Sequence, residues 1–169
     1  MRAIKGFTLV ELMLVVIVLS ILMAIALPSY RQYLVKKQVV VAQQVASEVS
    51  KELERFKSKN FSYKSFTLNY LYSSYNSTTG TLTIPVGATD QAITHTLTLL
   101  DATTSKVLTS TESTGLEWVI KVERVKQGEL VRQPYSYDLL MTSKGIRCMT
   151  RVANQVSSLQ NCGSEYEDW

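Results

Sequence analysis

The chain has 169 residues, enough for one domain of ordinary size with a stalk, and its three prolines and seven glycines leave little room for disordered linkers. The formal net charge of +4 falls to +2 once Arg2 and Lys5 are set aside, which excludes the strongly basic footprint of a dedicated nucleic-acid binder. No internal repeat is found.

Arg2 and Lys5 precede an apolar run, 7–27, interrupted only by Thr8, Glu11 and Ser20. As a helix this run reaches roughly 31 Å, close to the hydrocarbon thickness of a bilayer. Arg31, Lys36 and Lys37 follow it. Ala24-Ile25-Ala26 fits the small-residue cleavage pattern of a secretory signal. Against that reading, the run exceeds the roughly 7–15 residues of a signal core, and helical patterning continues past Pro28. A plain membrane anchor accounts for the length and leaves Glu11 unexplained. A charge costs roughly 2.5–3.5 kcal/mol at the centre of a membrane helix and less near an end, so it is rarely left without a partner.

Gly6-Phe7-Thr8-Leu9-Val10-Glu11 resembles the processing site of type IV pilins and their relatives, and Pro28 with Ser29, Tyr30 and Tyr33 resembles the end of their hydrophobic segment. The resemblance implies cleavage after Gly6 by a prepilin peptidase and N-methylation of Phe7 as the new first residue. Glu11 then stands where the family carries its typical fifth-position glutamate, with a role in subunit assembly. The likeness covers about the first 30 residues and is architectural beyond them. Physical chemistry agrees with it. Cleavage creates a positive amine at Phe7, and the Glu11 of a neighbouring subunit can pair with that amine inside an apolar bundle, where the attraction is strong and an unpaired carboxylate is penalised. Snorkelling to headgroups, or protonation, are the alternative fates of this side chain.

From residue 29 to 58 the pattern becomes a stripe: Val35, Val39, Ala42, Ala46, Val49, Leu53 and Phe56 recur at alternating intervals of 4 and 3, the period of a helix with one apolar face. Arg31, Lys36, Lys37, Gln43, Gln44, Glu48, Lys51, Glu52 and Arg55 occupy the other face. One helix over 7–58 is expected, roughly 78 Å if continuous. Pro28 should kink it by removing a backbone donor and crowding the preceding turn. The stripe is read as a core face for a head domain in preference to a coiled-coil seam.

Residues 60–80, rich in Tyr, Ser, Thr and Asn, read as an irregular connection. Period-two runs follow at 81–84, 93–99, 116–123 and 135–141, rich in Thr, Val, Ile, Trp and Tyr; such runs are strand signals and argue for an antiparallel meander covering the helix stripe. The implied fold class is α+β: the type IV pilin fold, a long N-terminal helix packed on a four-stranded antiparallel sheet with a disulfide-closed C-terminal loop. Its expected divisions are a leader 1–6, a transmembrane and polymerisation helix 7–28, and a head 29–169. Within the head come the helix half 29–58, a connection 59–80, the sheet 81–147, the loop 148–162 and a tail 163–169.

Cys148 and Cys162 are the only cysteines. An even pair in a head outside the cytoplasm usually forms a disulfide, and closing 148–162 is worth about 3 kcal/mol in the chain-entropy argument. Resemblance agrees, since many pilins staple a C-terminal loop this way. A short helix is expected within 151–159, and the loop is the expected contact surface toward other cells or filaments. His95 reads as a strand residue and, far from both cysteines, completes no metal set. Asn60-Phe61-Ser62 and Asn76-Ser77-Thr78 match the glycan acceptor pattern, as many chance tripeptides do. Lys57, Lys59, Phe61, Tyr63 and Lys64 mix basic and aromatic side chains as a DNA-binding surface would; a solvated helix end explains them equally well, and the acidic Glu165, Glu167 and Asp168 would repel a phosphate backbone.

No phosphate-binding glycine loop, metal cluster or nucleophile–base motif is found, so a non-enzyme without cofactors is expected. The resemblance implies a structural, minor subunit of a type IV pilus, held in the inner membrane with its head periplasmic and then assembled into an extracellular fibre. Its partners would be other pilin subunits, the prepilin peptidase and the assembly machinery of the inner membrane. Tyr137 to Met141, Gly145, Arg147 and the Cys148–Cys162 loop resemble, loosely, minor pilins linked to aggregation and adhesion. A DNA receptor for natural transformation, a type II secretion pseudopilin and a membrane-anchored protein that never polymerises are the alternatives.

Overall fold

The computed structural model describes residues 8–128 and 130–169; the expected leader 1–6 and the Gly6/Phe7 junction lie outside them. The chain divides into two units, Met1–Lys36 and Lys37–Trp169. One helix, α1 (Leu9–Asn60), contributes to both.

In the first unit α1 opens on a cap. The Thr8 hydroxyl accepts the Glu11 backbone N–H at 3.2 Å, satisfying one of the donors a helix leaves free at its start. The Ser20 hydroxyl donates to the Ile17 carbonyl at 2.7 Å, so the one other polar side chain of the apolar run is satisfied within its own helix. Pro28 lies inside α1 and cannot supply the N–H that the Ala24 carbonyl would receive from any other residue.

The second unit holds the sheet. Its strands are β1 (Thr81–Ile84), β2 (His95–Asp101), β3 (Trp118–Arg124), β4 (Lys126–Gln127), β5 (Leu130–Val131), β6 (Asp138–Thr142), β7 (Arg147–Thr150) and β8 (Glu167–Asp168). The main sheet has the order β1-β2-β3-β6-β7-β8, and β4 and β5 form a separate two-stranded ribbon. Every pairing is antiparallel. The expected α+β architecture, a long helix on an antiparallel sheet, is what the chain adopts. The sheet is wider than the expected four strands: β7 and β8 extend it, so Cys148 sits on a strand.

One face of the sheet packs on α1. Val39, Ala42, Val45, Ala46, Val49 and Leu53 form a core with Leu82, Ile84, Leu97, Leu99, Ile120, Val122, Leu139 and Met141. The helical stripe thus faces a surface of period two, and burying both is the main favourable term of the fold. Phe56 is half-buried, edge-on to Phe66 with ring centroids 5.3 Å apart. The other face carries a smaller cluster of Val119, Leu140, Cys148, Val156 and Cys162. Strand β6 is buried along its whole length because both of its faces are covered.

Strand β3 runs antiparallel to α1. At its start the Trp118 indole donates to Glu54 at 3.1 Å. Toward its end Val122 pairs with Leu139, Leu139 with Met149, and the Met149 sulfur lies 3.9 Å from Gln43. The end of β3, and the β4–β5 ribbon that follows, therefore belong to the Lys37 end of this unit. The irregular connection 61–80 is stapled along α1 by three phenols: Tyr63, Tyr70 and Tyr72 donate to Glu54, Glu52 and Glu48 at 2.8, 2.6 and 2.7 Å.

Candidate assembly and contact surfaces

Glu11 sits in the first turn of α1, three residues after the Thr8 cap. The arrangement is half of a capping box, with the hydroxyl of the cap on the third N–H of the helix. The Thr8-x-x-Glu11 spacing signals this cap, a role for Thr8 that the resemblance alone did not supply. Among the described residues no hydrogen bond or ion pair reaches the Glu11 carboxylate. Around it, Leu9, Val10, Leu12, Met13, Leu14 and every later large apolar side chain up to Leu27 is exposed. The helix is long and apolar enough to cross a membrane. Water is a poor solvent for an apolar rod exposed in this way. Lipid or the apolar helices of other chains can cover it.

The second surface is the C-terminal loop. Cys148 on β7 is bonded to Cys162 with an S–S distance of 2.04 Å and Cα atoms 6.0 Å apart. The expected short helix is a single 3₁₀ turn, Gln155–Ser158, which pins Val156 against Val119 and Leu140. Asn154 and Leu159 flank this turn with left-handed backbones. Beyond it, the Thr150 hydroxyl donates to the Glu165 carbonyl at 2.8 Å, and the Trp169 indole donates to the Cys148 carbonyl at 3.1 Å. The loop and tail enclose an open cleft of about 570 Å³ lined by Arg147, Cys148, Cys162, Tyr166, Asp168 and Trp169.

The basic and aromatic cluster read from the sequence is largely absorbed by the fold. Tyr63 is buried, with its hydroxyl on Glu54 and Lys57 over its ring at 4.7 Å. Burial, then the bond to Glu54, raises its pKa. Lys64 donates to the Thr111 carbonyl at 3.2 Å. Only Phe61, 89% exposed, presents an aromatic face to solvent. Asn60 caps α1 through the Phe56 carbonyl at 2.9 Å.

His95 is a fully buried strand residue, as its alternating run predicts. Its Nε2 lies 3.1 Å from the Ser136 hydroxyl and its Nδ1 3.0 Å from that of Thr94. Burial lowers its pKa to about 4, against the opposing pull of the Asp138 carboxylate. Beside it the Arg124 guanidinium donates to both Asp138 oxygens, at 2.9 and 3.1 Å, and to the Ser136 and Arg151 carbonyls. Each charge of this buried pair is hydrogen-bonded, the condition under which burial is tolerated. Among the described residues no cluster of His, Cys, Asp and Glu has the makings of a metal site.

Residues 1–27 match the family model described as the prokaryotic N-terminal methylation motif. The chain is 44% identical over 61 residues to fimbrial protein Q of Moraxella bovis, covering 35% of this chain and 39% of that protein. It is 54% identical over 50 residues to a fimbrial protein of Pseudomonas aeruginosa, 30% of each chain. It is 57% identical over 35 residues to the type IV major fimbrial protein FimA of Dichelobacter nodosus, 21% of this chain and 22% of that one. The chain thus spans well under half the length of the curated relatives it matches. No solved structure matches.

Proposed function

From the match of residues 1–27 to the prokaryotic N-terminal methylation motif and the similarity to type IV fimbrial proteins, we propose that this chain is a structural subunit of a type IV pilus. The observation that carries the reading is the exposed apolar rod of α1, broken near its start by a carboxylate with no partner among the described residues. Before assembly the rod holds the precursor in the inner membrane, with the head on the periplasmic side. Prepilin peptidase cuts after Gly6 and methylates Phe7. The new Phe7 amine of one subunit then pairs with Glu11 of another as the rods leave lipid and pack together, and the machinery of the inner membrane drives the transfer. Pro28 softens the rod where the two halves of α1 meet different surroundings, because the helix lacks a hydrogen bond there.

The subunit is read as a minor one. Similarity to the type IV major fimbrial protein FimA covers only 21% of this chain, and the disulfide loop and tail offer a contact surface of their own for adhesion or aggregation. Intact mass of the protein in sheared surface fibres tests the reading. The expected species lacks residues 1–6, carries one added methyl group and has the Cys148–Cys162 bond closed, in low proportion to the principal fibre protein. Recovery of only the full-length polypeptide, or of none, contradicts it.

A further inference from the structure

The Lys37 end of the second unit presents an apolar surface that the filament reading does not use. Leu130 on β5 is 79% exposed and Tyr135, just beyond that strand, is 76% exposed. Val86, in the connection after β1, is also exposed at this end, since Ile84 pairs with His95 and His95 with Arg124. Two cations flank these side chains. Lys126 on β4 is exposed and bonds to Asn154. Arg132 donates to the backbone carbonyls of Asp90 and Gln91 at 3.2 and 2.6 Å, which fixes its position while leaving its charge without a carboxylate partner among the described residues. Lys37 is ten residues past Leu27 in the sequence. So short a tether keeps this end of the unit within reach of the bilayer, whatever the angle between the two units.

We propose that this end of the head, with Leu130 and Tyr135 at its centre, is a lipid-facing surface that rests on the anionic headgroups of the membrane while the subunit awaits assembly. Amphipathic aromatic and aliphatic side chains flanked by Lys and Arg match the chemistry of a headgroup layer, and the cations are drawn to an anionic leaflet at short range. The opposite end carries comparable apolar exposure at Phe61 and Leu116 but lies at the far side of the sheet. Tethering, beyond composition, selects the Leu130 end. The proposal rests on the reading that the apolar rod anchors the chain in lipid.

The test uses the full chain, sparsely reconstituted in phosphatidylethanolamine vesicles containing phosphatidylglycerol, with acyl chains brominated near the headgroup. One fluorophore is attached through Val16→Cys, Leu116→Cys or Leu130→Cys, the native cysteines being paired. The Leu130 label is expected to lose about half its emission, the Leu116 label to keep its own, and the Leu130 loss to shrink when phosphatidylcholine replaces phosphatidylglycerol or when Lys126→Gln and Arg132→Gln are combined. The Val16 label, examined also with deeper bromines, reports the anchor. Quenching of Val16 without Leu130 overturns the proposal and spares the anchor. Failure to quench Val16 overturns both. A Leu130 response that grows with protein-to-lipid ratio and ignores bromine makes a second copy of the chain the occupant, and overturns the proposal as well.

Discussion

Asp101 terminates β2 and organises the connection to β3. Its buried carboxylate accepts the backbone N–H groups of Thr103, Thr104 and Gly115 at 2.8, 3.1 and 2.9 Å, and the hydroxyls of Ser113 and Thr114 at 2.9 Å each. Burial alone would raise its pKa; the donors from Gly115, Thr114, Ser113 and Thr103 outweigh that and hold it well below the usual carboxylate range. Asp101→Ala leaves these donors without an acceptor and is expected to cost about 3 kcal/mol in urea denaturation. The stabilisation from ionised Asp101 is complete above the unfolded value near pH 4 and fades as pH falls through the lower folded one. Gly115 takes part in the same turn with φ +65, and a Cβ there would lie 2.5 Å from the Lys64 backbone nitrogen. His95 contributes in a different pH window. Its folded pKa of about 4 lies below the unfolded value near 6.5, so the unfolded chain binds the proton first. Stability is expected to be full above pH 6.5 and to fall by on the order of 3 kcal/mol as pH drops to 4. His95→Asn should be less stable at neutral pH and flatten that dependence, read as denaturation midpoints against pH.

At the scale of elements, the C-terminal loop is a cover for the sheet face away from α1, held by the Cys148–Cys162 bond, the buried Val156 and the hydrogen bonds of Arg124 and Lys126 to Arg151 and Asn154. The paired Cys148→Ser and Cys162→Ser replacement is expected to lower stability by about 3 kcal/mol, measured by urea denaturation, and to uncover Val119 and Leu140, measured by dye binding. The helix stripe was legible because its period is unmistakable: Val39, Ala42, Ala46, Val49 and Leu53 are all buried. Strands β1, β2, β3 and β6 were legible to within about three residues, the usual uncertainty of element boundaries. Strand β7 was not, since Arg147-Cys148-Met149-Thr150 carries little alternation. Strand β8 has two charged residues, Glu167 and Asp168, and owes its form to pairing with β7, which local propensity does not encode. The Asp101 turn was equally hidden, because its partners lie up to 14 residues away. Of the candidate site, the charge, glycine and glutamate spacing of the first residues was readable as a motif, whereas the exposure of Leu130 and Tyr135 follows only from the placement of β4 and β5.

For the whole molecule, the decisive substitution is Glu11→Leu. A leucine suits lipid better than a carboxylate, so the precursor should remain in the membrane and still be cut. If the proposed pairing with the Phe7 amine of a neighbouring copy holds, incorporation into fibres is expected to fall at least tenfold, about 1.4 kcal/mol of lost subunit preference at minimum, measured by immunoblotting sheared fibres against the membrane fraction. Unchanged incorporation would remove the pairing from the account. The two covers of the sheet also impose an order on maturation. Helix α1 covers its face through apolar burial alone, whereas the cover made by the C-terminal loop is also tied by the Cys148–Cys162 bond. A head that reached a crowded array before its thiols were oxidised would carry a wet, adhesive flank among its neighbours. If the proposed fibre assembly holds, oxidation of Cys148 and Cys162 before polymerisation would act as a quality checkpoint, and the supply of oxidant would limit how many chains are fit to enter a fibre.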